Sequence, residues 1–131
     1  MVHHLQWCPV LVAALSAFAL GGLWYGPLFK RAWCREAGIA PDVAPGHPAR
    51  IFAIAFACSL FAATFFAWFV GPDPSLIEAL HTGLVVGVAW VAMSFGINYA
   101  FAQRSLKLWL IDGGYHVLQF VLYGLVLGAW P

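Results

Sequence analysis

The sequence predicts an all-α fold: a four-transmembrane-helix bundle with a short interfacial helix after the first span. Three observations carry that expectation. Hydrophobic residues make up 63% of the 131 residues and charged residues only 8%, against roughly 25% charged in soluble domains. Four apolar runs each reach the ~20 residues that a helix needs to cross the hydrocarbon core. All six Lys and Arg residues fall in two of the three connections between those runs. Helices are the expected spanning element because lipid offers no partner for loose backbone groups. The length suits a single integral membrane domain, residues 1–131.

The spans are expected at about residues 7–29, 50–71, 76–103 and 107–130. The first is expected to be a retained span. Ala17-Phe18-Ala19 resembles a cleavage site only faintly, no Lys or Arg precedes the run, and the apolar stretch continues past it. Leu5-Gln6-Trp7-Cys8 is a poor lipid-attachment signal, since small residues are expected before the Cys. Pro27 lies one turn before the end of span one and should bend or end the helix at Trp24-Tyr25-Gly26-Pro27. Residues 28–37 should form an amphipathic segment, with Phe29, Trp33 and Ala37 on one face. Gly38 is a plausible stop, and Pro41, Pro45 and Pro48 then imply an extended loop. Span two is mostly Ala and Phe, which suits packing and lipid contact. In the second connection Ser75 should cap span three, with Glu78 completing a capping box. Gly83, Gly87, Ser94 and Asn98 fall on one face of span three at 100° per residue, and Gly83-xxx-Gly87 is a small-xxx-small pattern. Ala14, Gly21 and Tyr25 share a face of span one.

Charge placement sets the expected direction. Lys30, Arg31, Arg35, Arg50, Arg104 and Lys107 lie in connections one and three, and connection two has none. The positive-inside rule puts residues 30–50 and 104–107 on the cytoplasmic side and both termini on the periplasmic or extracellular side of the cell (inner) membrane.

Span four holds the informative residues. Asp112, His116, Gln119 and Tyr123 have i, i+4, i+7, i+11 spacing and fall within roughly 60° of arc. Counting at about 1.5 Å per residue, Tyr25, Asn98, Asp112, Tyr115 and His116 should occupy neighbouring levels in the third of the membrane nearest the basic loops. The candidate ligand-binding residues are therefore Trp24, Tyr25, Asn98, Asp112, Tyr115, His116 and Gln119. Such groups either bond helix to helix, at around 0.6 kcal/mol per contact, or form a proton, ion or small-ligand site. An Asp and a His one turn apart could share a proton or bind a cation, and Asp112 could also pair with Lys107 or Arg104. For Trp24 and Tyr25 the plain expectation is an interface anchor. A metal site is not expected, because two neighbouring ligands are too few.

Other function classes find no support. Net charge is +1, and the basic residues form no nucleic-acid patch with interleaved aromatics. Cys8, Cys34 and Cys58 show no zinc or redox spacing. There is no nucleophile elbow, phosphate loop or HExxH. His3 and His4 are expected to be solvated, His47 lies in the Pro-rich loop, and His81 is expected near the outer interface. No cofactor can be named.

Two segments resemble the DUF1761 family. Gly21-Gly22-Leu23-Trp24-Tyr25-Gly26-Pro27-Leu28-Phe29, followed by Ala32-Trp33, looks like the signature near its start. Asn98-Tyr99, Leu106-Lys107-Leu108 and Gly114-Tyr115-His116 resemble its later half, in the same order. The resemblance runs over most of the chain and implies a small, mostly bacterial membrane protein without an established activity. The chain departs from the pattern at Phe29-Lys30, where the family tends to have Phe-Gly, and at Asp112, where the family often has Asn. The second departure implies that a carboxylate is not required there.

The leading expectation is a non-enzymatic membrane protein whose polar layer binds a small ligand or ion and is linked to transport. The alternatives are an accessory subunit of a larger membrane complex, and a membrane enzyme acting on a lipid or quinone with His116 as base. The lipid bilayer is the expected surrounding. A homo-oligomer is expected from the small-residue faces, and no nucleic-acid partner is expected.

Overall fold

The computed structural model describes residues 5–40 and 47–131 and is all-helical over them, with no strand. His3, His4, Pro41 and Pro45 lie outside the described residues. Four helical stretches are long and apolar enough to cross a membrane: Trp7–Leu28, Pro48–Val70, Leu76–Phe101 and Leu106–Ala129. In chain order the elements are α1 (Trp7–Leu23) with a π-helical end (Trp24–Leu28), α2 (Lys30–Ala37) and α3 (Pro48–Val70). They continue with α4 (Leu76–Val85), a π-helical stretch (Val86–Ala92), α5 (Met93–Phe101) and α6 (Leu106–Ala129).

Local chemistry explains the ends. Ser75 Oγ accepts from the Glu78 N–H at 3.2 Å, and the Glu78 carboxylate reaches back to Ser75, so the capping box forms. Ser105 caps α6 in the same way through the Leu108 N–H, 3.1 Å away. Gly38 ends α2 at φ +73, a left-handed position that favours glycine. At the end of span one Pro27 has no N–H to donate, and Gly26 leaves helical geometry at φ −97, ψ −105. The chain kinks there and turns into α2. Pro48 does not extend the loop as its composition suggests: it is the first residue of α3, where its missing N–H costs nothing and its fixed φ suits the helix.

Span four is central. It packs on span one along one side and on span three along the other, while span two leans mainly on span one. Spans three and four meet backbone to backbone. A Cβ at Gly83 would fall on the Phe120 carbonyl, one at Gly87 would lie 2.8 Å from Val117 Cα, and one at Gly124 would fall on the Ala79 carbonyl. Gly128 meets Leu76 Cα at 2.7 Å by the same measure. Two small-xxx-small pairs, Gly83/Gly87 and Gly124/Gly128, thus follow one another along one seam, each against the backbone of the opposite span. Hydrophobicity cannot drive helix pairing inside lipid, so this close approach does. Val10, Ala13, Ala14, Ala17, Ala63, Phe66, Ala67, Val86 and Tyr123 form the apolar core, toward the end away from the basic connections. Large apolar side chains such as Phe61, Trp68, Trp90 and Ile97 point outward, a surface suited to lipid rather than water.

One expectation fails here. Gly83 and Gly87 are buried as their shared face requires, but Ser94 and Asn98 are exposed. The intervening stretch Val86–Ala92 is π-helical, which adds one residue to the turn. The inward face resumes one residue later, at Ala92, Phe95, Gly96 and Tyr99, in place of the α-helical positions 91, 94, 95 and 98.

Replacing Gly124 with Val should drive a side chain into the Ala79 carbonyl. Overpacking of this kind costs about 1–3 kcal/mol or more. Thermal unfolding in detergent should show a clear loss for Gly124→Val and little change for Gly22→Ala, whose Cβ would meet nothing within 4 Å.

Candidate functional site

Asp112 is 7% exposed and lies two turns into α6. Its carboxyl oxygens accept three hydrogen bonds. Tyr25 Oη donates to Oδ1 at 2.6 Å, Trp33 Nε1 donates to Oδ1 at 3.1 Å, and Tyr99 Oη donates to Oδ2. The donors come from the kinked end of span one, from α2 and from the end of α5. Each placement has a local cause. The Gly26-Pro27 kink swings the chain so that α2 brings Trp33 back over the bundle end. The extra residue in span three turns Tyr99 inward. The partners are neutral; neither Lys107 nor Arg104 is among them.

A ring of aromatic groups surrounds this centre. Tyr25 packs edge-on against Trp33 and Tyr115, with ring centroids 5.7 and 5.4 Å apart. Trp24 Nε1 donates to the Ile111 carbonyl at 2.9 Å, Trp109 Nε1 to the Ala92 carbonyl at 2.8 Å, and Tyr115 Oη to the Ala17 carbonyl at 2.9 Å. Indole and phenol hydrogens therefore tie span four to spans one and three at several levels.

A second polar group lies deeper. His116 Nδ1 is 2.5 Å from Gln119 Oε1, and Gln119 Nε2 donates to Tyr123 Oη at 2.7 Å. Tyr123 Oη donates to the Ser59 carbonyl at 3.0 Å and stands 2.8 Å from Ser59 Oγ, which also reaches the Ala14 carbonyl at 3.1 Å. The His116 ring stacks on Phe95, with centroids 4.8 Å apart and planes 21° apart, and meets Tyr115 edge-on. His116 sits near the midpoint of the 24-residue α6, about 15 Å from its start and about 20 Å from its end.

Of the seven candidates, Tyr25 and Asp112 are bonded to each other, and Trp24 and Tyr115 flank them through backbone carbonyls. His116 and Gln119 form the separate deeper group. Asn98 does not join the layer: it is exposed, and Tyr99 occupies the inward position, because of the added residue in span three. The hydrogen bonds recorded for His116 and Asp112 do not join the pair; each has other partners. Trp33, Tyr99 and Ser59 are the site residues that sequence reasoning missed. Ser59, one of two hydroxyl side chains in a largely apolar span (the other is Thr64), was a usable signal. Trp33 carried only the general signal of an interfacial aromatic. Nothing in the local sequence marks the turn that brings Tyr99 inward.

Two cavities are formed elsewhere. One of about 280 Å³ lies at the far end among Gln6, Gly71, Asp73, Leu127 and Trp130. The other is a shallow apolar recess on span two beside Cys58 and Phe61. Neither touches the polar layer. Among the described residues no group of three or more His, Cys, Asp and Glu could hold a metal ion. His47 and His81 are exposed, Cys34 is buried, and the three cysteines are free.

Residues 8–128 match the family described as "Protein of unknown function (DUF1761)". No curated protein and no solved structure matches the chain.

Removing the Asp112 carboxyl strands three donors, each at about 1–3 kcal/mol where buried. Asp112→Ala should therefore lose more than about 2 kcal/mol of stability and free α2, read as faster tryptic cleavage at Arg31 and Arg35. Asp112→Asn keeps one acceptor oxygen and turns its amide toward a hydroxyl that can accept. Its loss should be no more than about half as large.

Proposed function

We propose, from the premise that the chain belongs to the DUF1761 family, that it is a non-catalytic membrane protein binding a small ligand in the bilayer interior at His116. In this reading the Asp112 cluster is a lock that holds the interfacial helix α2 to the bundle, and it is not itself the ligand site. The observation that carries the reading is the contrast between the two polar groups. Both oxygens of Asp112 are engaged by donors of the chain itself. His116 is bonded only through Nδ1, and its second ring nitrogen has no hydrogen-bond partner among the described residues. Ionisable groups at such depth are costly and mark ligand or ion pathways.

The proposed setting is the cell (inner) membrane, with the basic connections cytoplasmic, as the charge asymmetry suggests. A role in transport would use the same site. Alkaline phosphatase fused to the carboxy terminus should be active, and the same enzyme inserted after Gln103 inactive; the reverse pattern would invert the orientation.

Native mass spectrometry tests the ligand. Wild-type protein extracted from membranes should carry a small-molecule adduct that is lost from a folded His116→Phe variant. Wild type free of adduct, or an adduct unaffected by the substitution, counts against the site.

One observation favours a second reading, an accessory subunit. The basic-end part of span two, from Pro48 to Ala55, is exposed along its whole length. Such a half-span would suit contact with a further helix. Gentle extraction in which the chain always migrates alone, or only with itself, argues against it.

A further inference from the structure

We propose that the molecule bound at His116 is lipid-soluble and carries a hydroxyl group, which donates its hydrogen to Nε2 of the imidazole while the apolar body lies along the bundle. This rests on the ligand site proposed above and names the chemistry it would take.

The direction of the hydrogen-bond chain fixes the acceptor. The Ala14 and Ser59 carbonyl oxygens can only accept. Tyr123 has a single hydrogen and Ser59 faces it with two acceptors, its carbonyl at 3.0 Å and its Oγ at 2.8 Å, while Ser59 Oγ also reaches the Ala14 carbonyl. The Tyr123 oxygen is thereby left as an acceptor, and it takes an N–H from Gln119 Nε2. The same amide presents its oxygen to His116 Nδ1, 2.5 Å away. An oxygen at that distance requires a hydrogen on Nδ1. A neutral imidazole has one ring hydrogen, so Nε2 keeps a bare lone pair. That lone pair is not sealed away, because no side-chain N or O atom among the described residues is both buried and unpartnered.

Depth and surroundings select the donor. His116 lies about 15 Å from the start of α6 and about 20 Å from its end, at a level where lipid and not water surrounds the bundle. The Asp112 cluster lies between it and the basic end, and the Gln119–Tyr123–Ser59 group between it and the other. At that depth a ligand arrives sideways from the bilayer and must be soluble there. Phe95 and Tyr115, both with ring centroids 4.8 Å from that of His116, offer aromatic flanks to an apolar body. Among the described residues a metal cation lacks the ligands it needs, whereas a hydroxyl needs one acceptor.

The test uses the full chain in lipid nanodiscs, labelled with nitrogen-15 at histidine, above the ordinary titration range of imidazole. His116→Gln identifies the His116 resonances. The expected spectrum shows a protonated Nδ1 and a pyridine-type Nε2. Pentadecylphenol should shift the Nε2 resonance saturably, and its methyl ether, which has no hydrogen to donate, should not. Gln119→Leu removes the acceptor that holds the hydrogen on Nδ1; it should mix the tautomers and weaken phenol binding by up to about tenfold, the order of one hydrogen bond. Should that variant not fold, Gln119→Glu sets a carboxylate against the ring, which favours the imidazolium; it should put a hydrogen on Nε2 and abolish phenol binding. In the wild type a protonated Nε2, an equal response to the ether, or no saturable shift overturns the proposal, as does phenol binding retained when Nε2 is protonated. So does an Nε2 resonance already shifted without phenol that reverts at one chain per disc, since its donor is then a second copy. A native adduct that has no hydroxyl but still depends on His116 removes this ligand class and leaves the ligand site standing.

Discussion

The carboxyl group of Asp112 is the point on which the basic end of the molecule depends. One side chain on span four receives hydrogens from span one, from the interfacial helix and from span three. No other described contact joins those three elements through a single group. A carboxylate accepts several hydrogen bonds at once and donates none, so it gathers donors in a way that an apolar side chain cannot. Without it, α2 would retain an amphipathic face and one long polar contact, from the Arg104 guanidinium to the Ala37 carbonyl at 3.5 Å.

The opposite end is held by a different force. Gly83, Gly87, Gly124 and Gly128 let spans three and four touch along their backbones, and Ala13, Ala14, Ala17, Ala63 and Ala67 do the same work between spans one and two with less intimacy. Dispersion between closely packed chains replaces the hydrophobic drive that lipid removes. Between the two regimes lies His116, at the level where the polar lock has ended and the glycine seam is already formed. It satisfies one nitrogen through Gln119 and leaves the other to its surroundings, and this asymmetry sets it apart from the other polar side chains of the layer.

The π-helical stretch Val86–Ala92 links these features. It lets the glycines of α4 and the aromatic groups of α5 face the same neighbour, although a regular helix would place Ser94 and Asn98 there. Such turns are frequently found at functional sites, and here the consequence is specific. Tyr99 enters the lock, Phe95 reaches the imidazole, and Asn98 is turned out.

The sequence by itself determined the elements that physical chemistry decides locally. Four apolar runs are legible because hydrocarbon demands them, the Ser75–Glu78 cap because its donors and acceptors are three residues apart, and the Gly26-Pro27 kink because Pro has no N–H to give. The stripe Asp112, His116, Gln119 and Tyr123 is legible because α6 is regular from end to end. Which side chains meet that stripe was decided only by the tertiary structure. A single added residue in span three rotates everything beyond it by about 100°, and its position depends on how α4 and α5 each seat against span four. Trp33 and Ser59 reach their partners across 79 and 64 residues of chain, a separation over which periodicity carries no information.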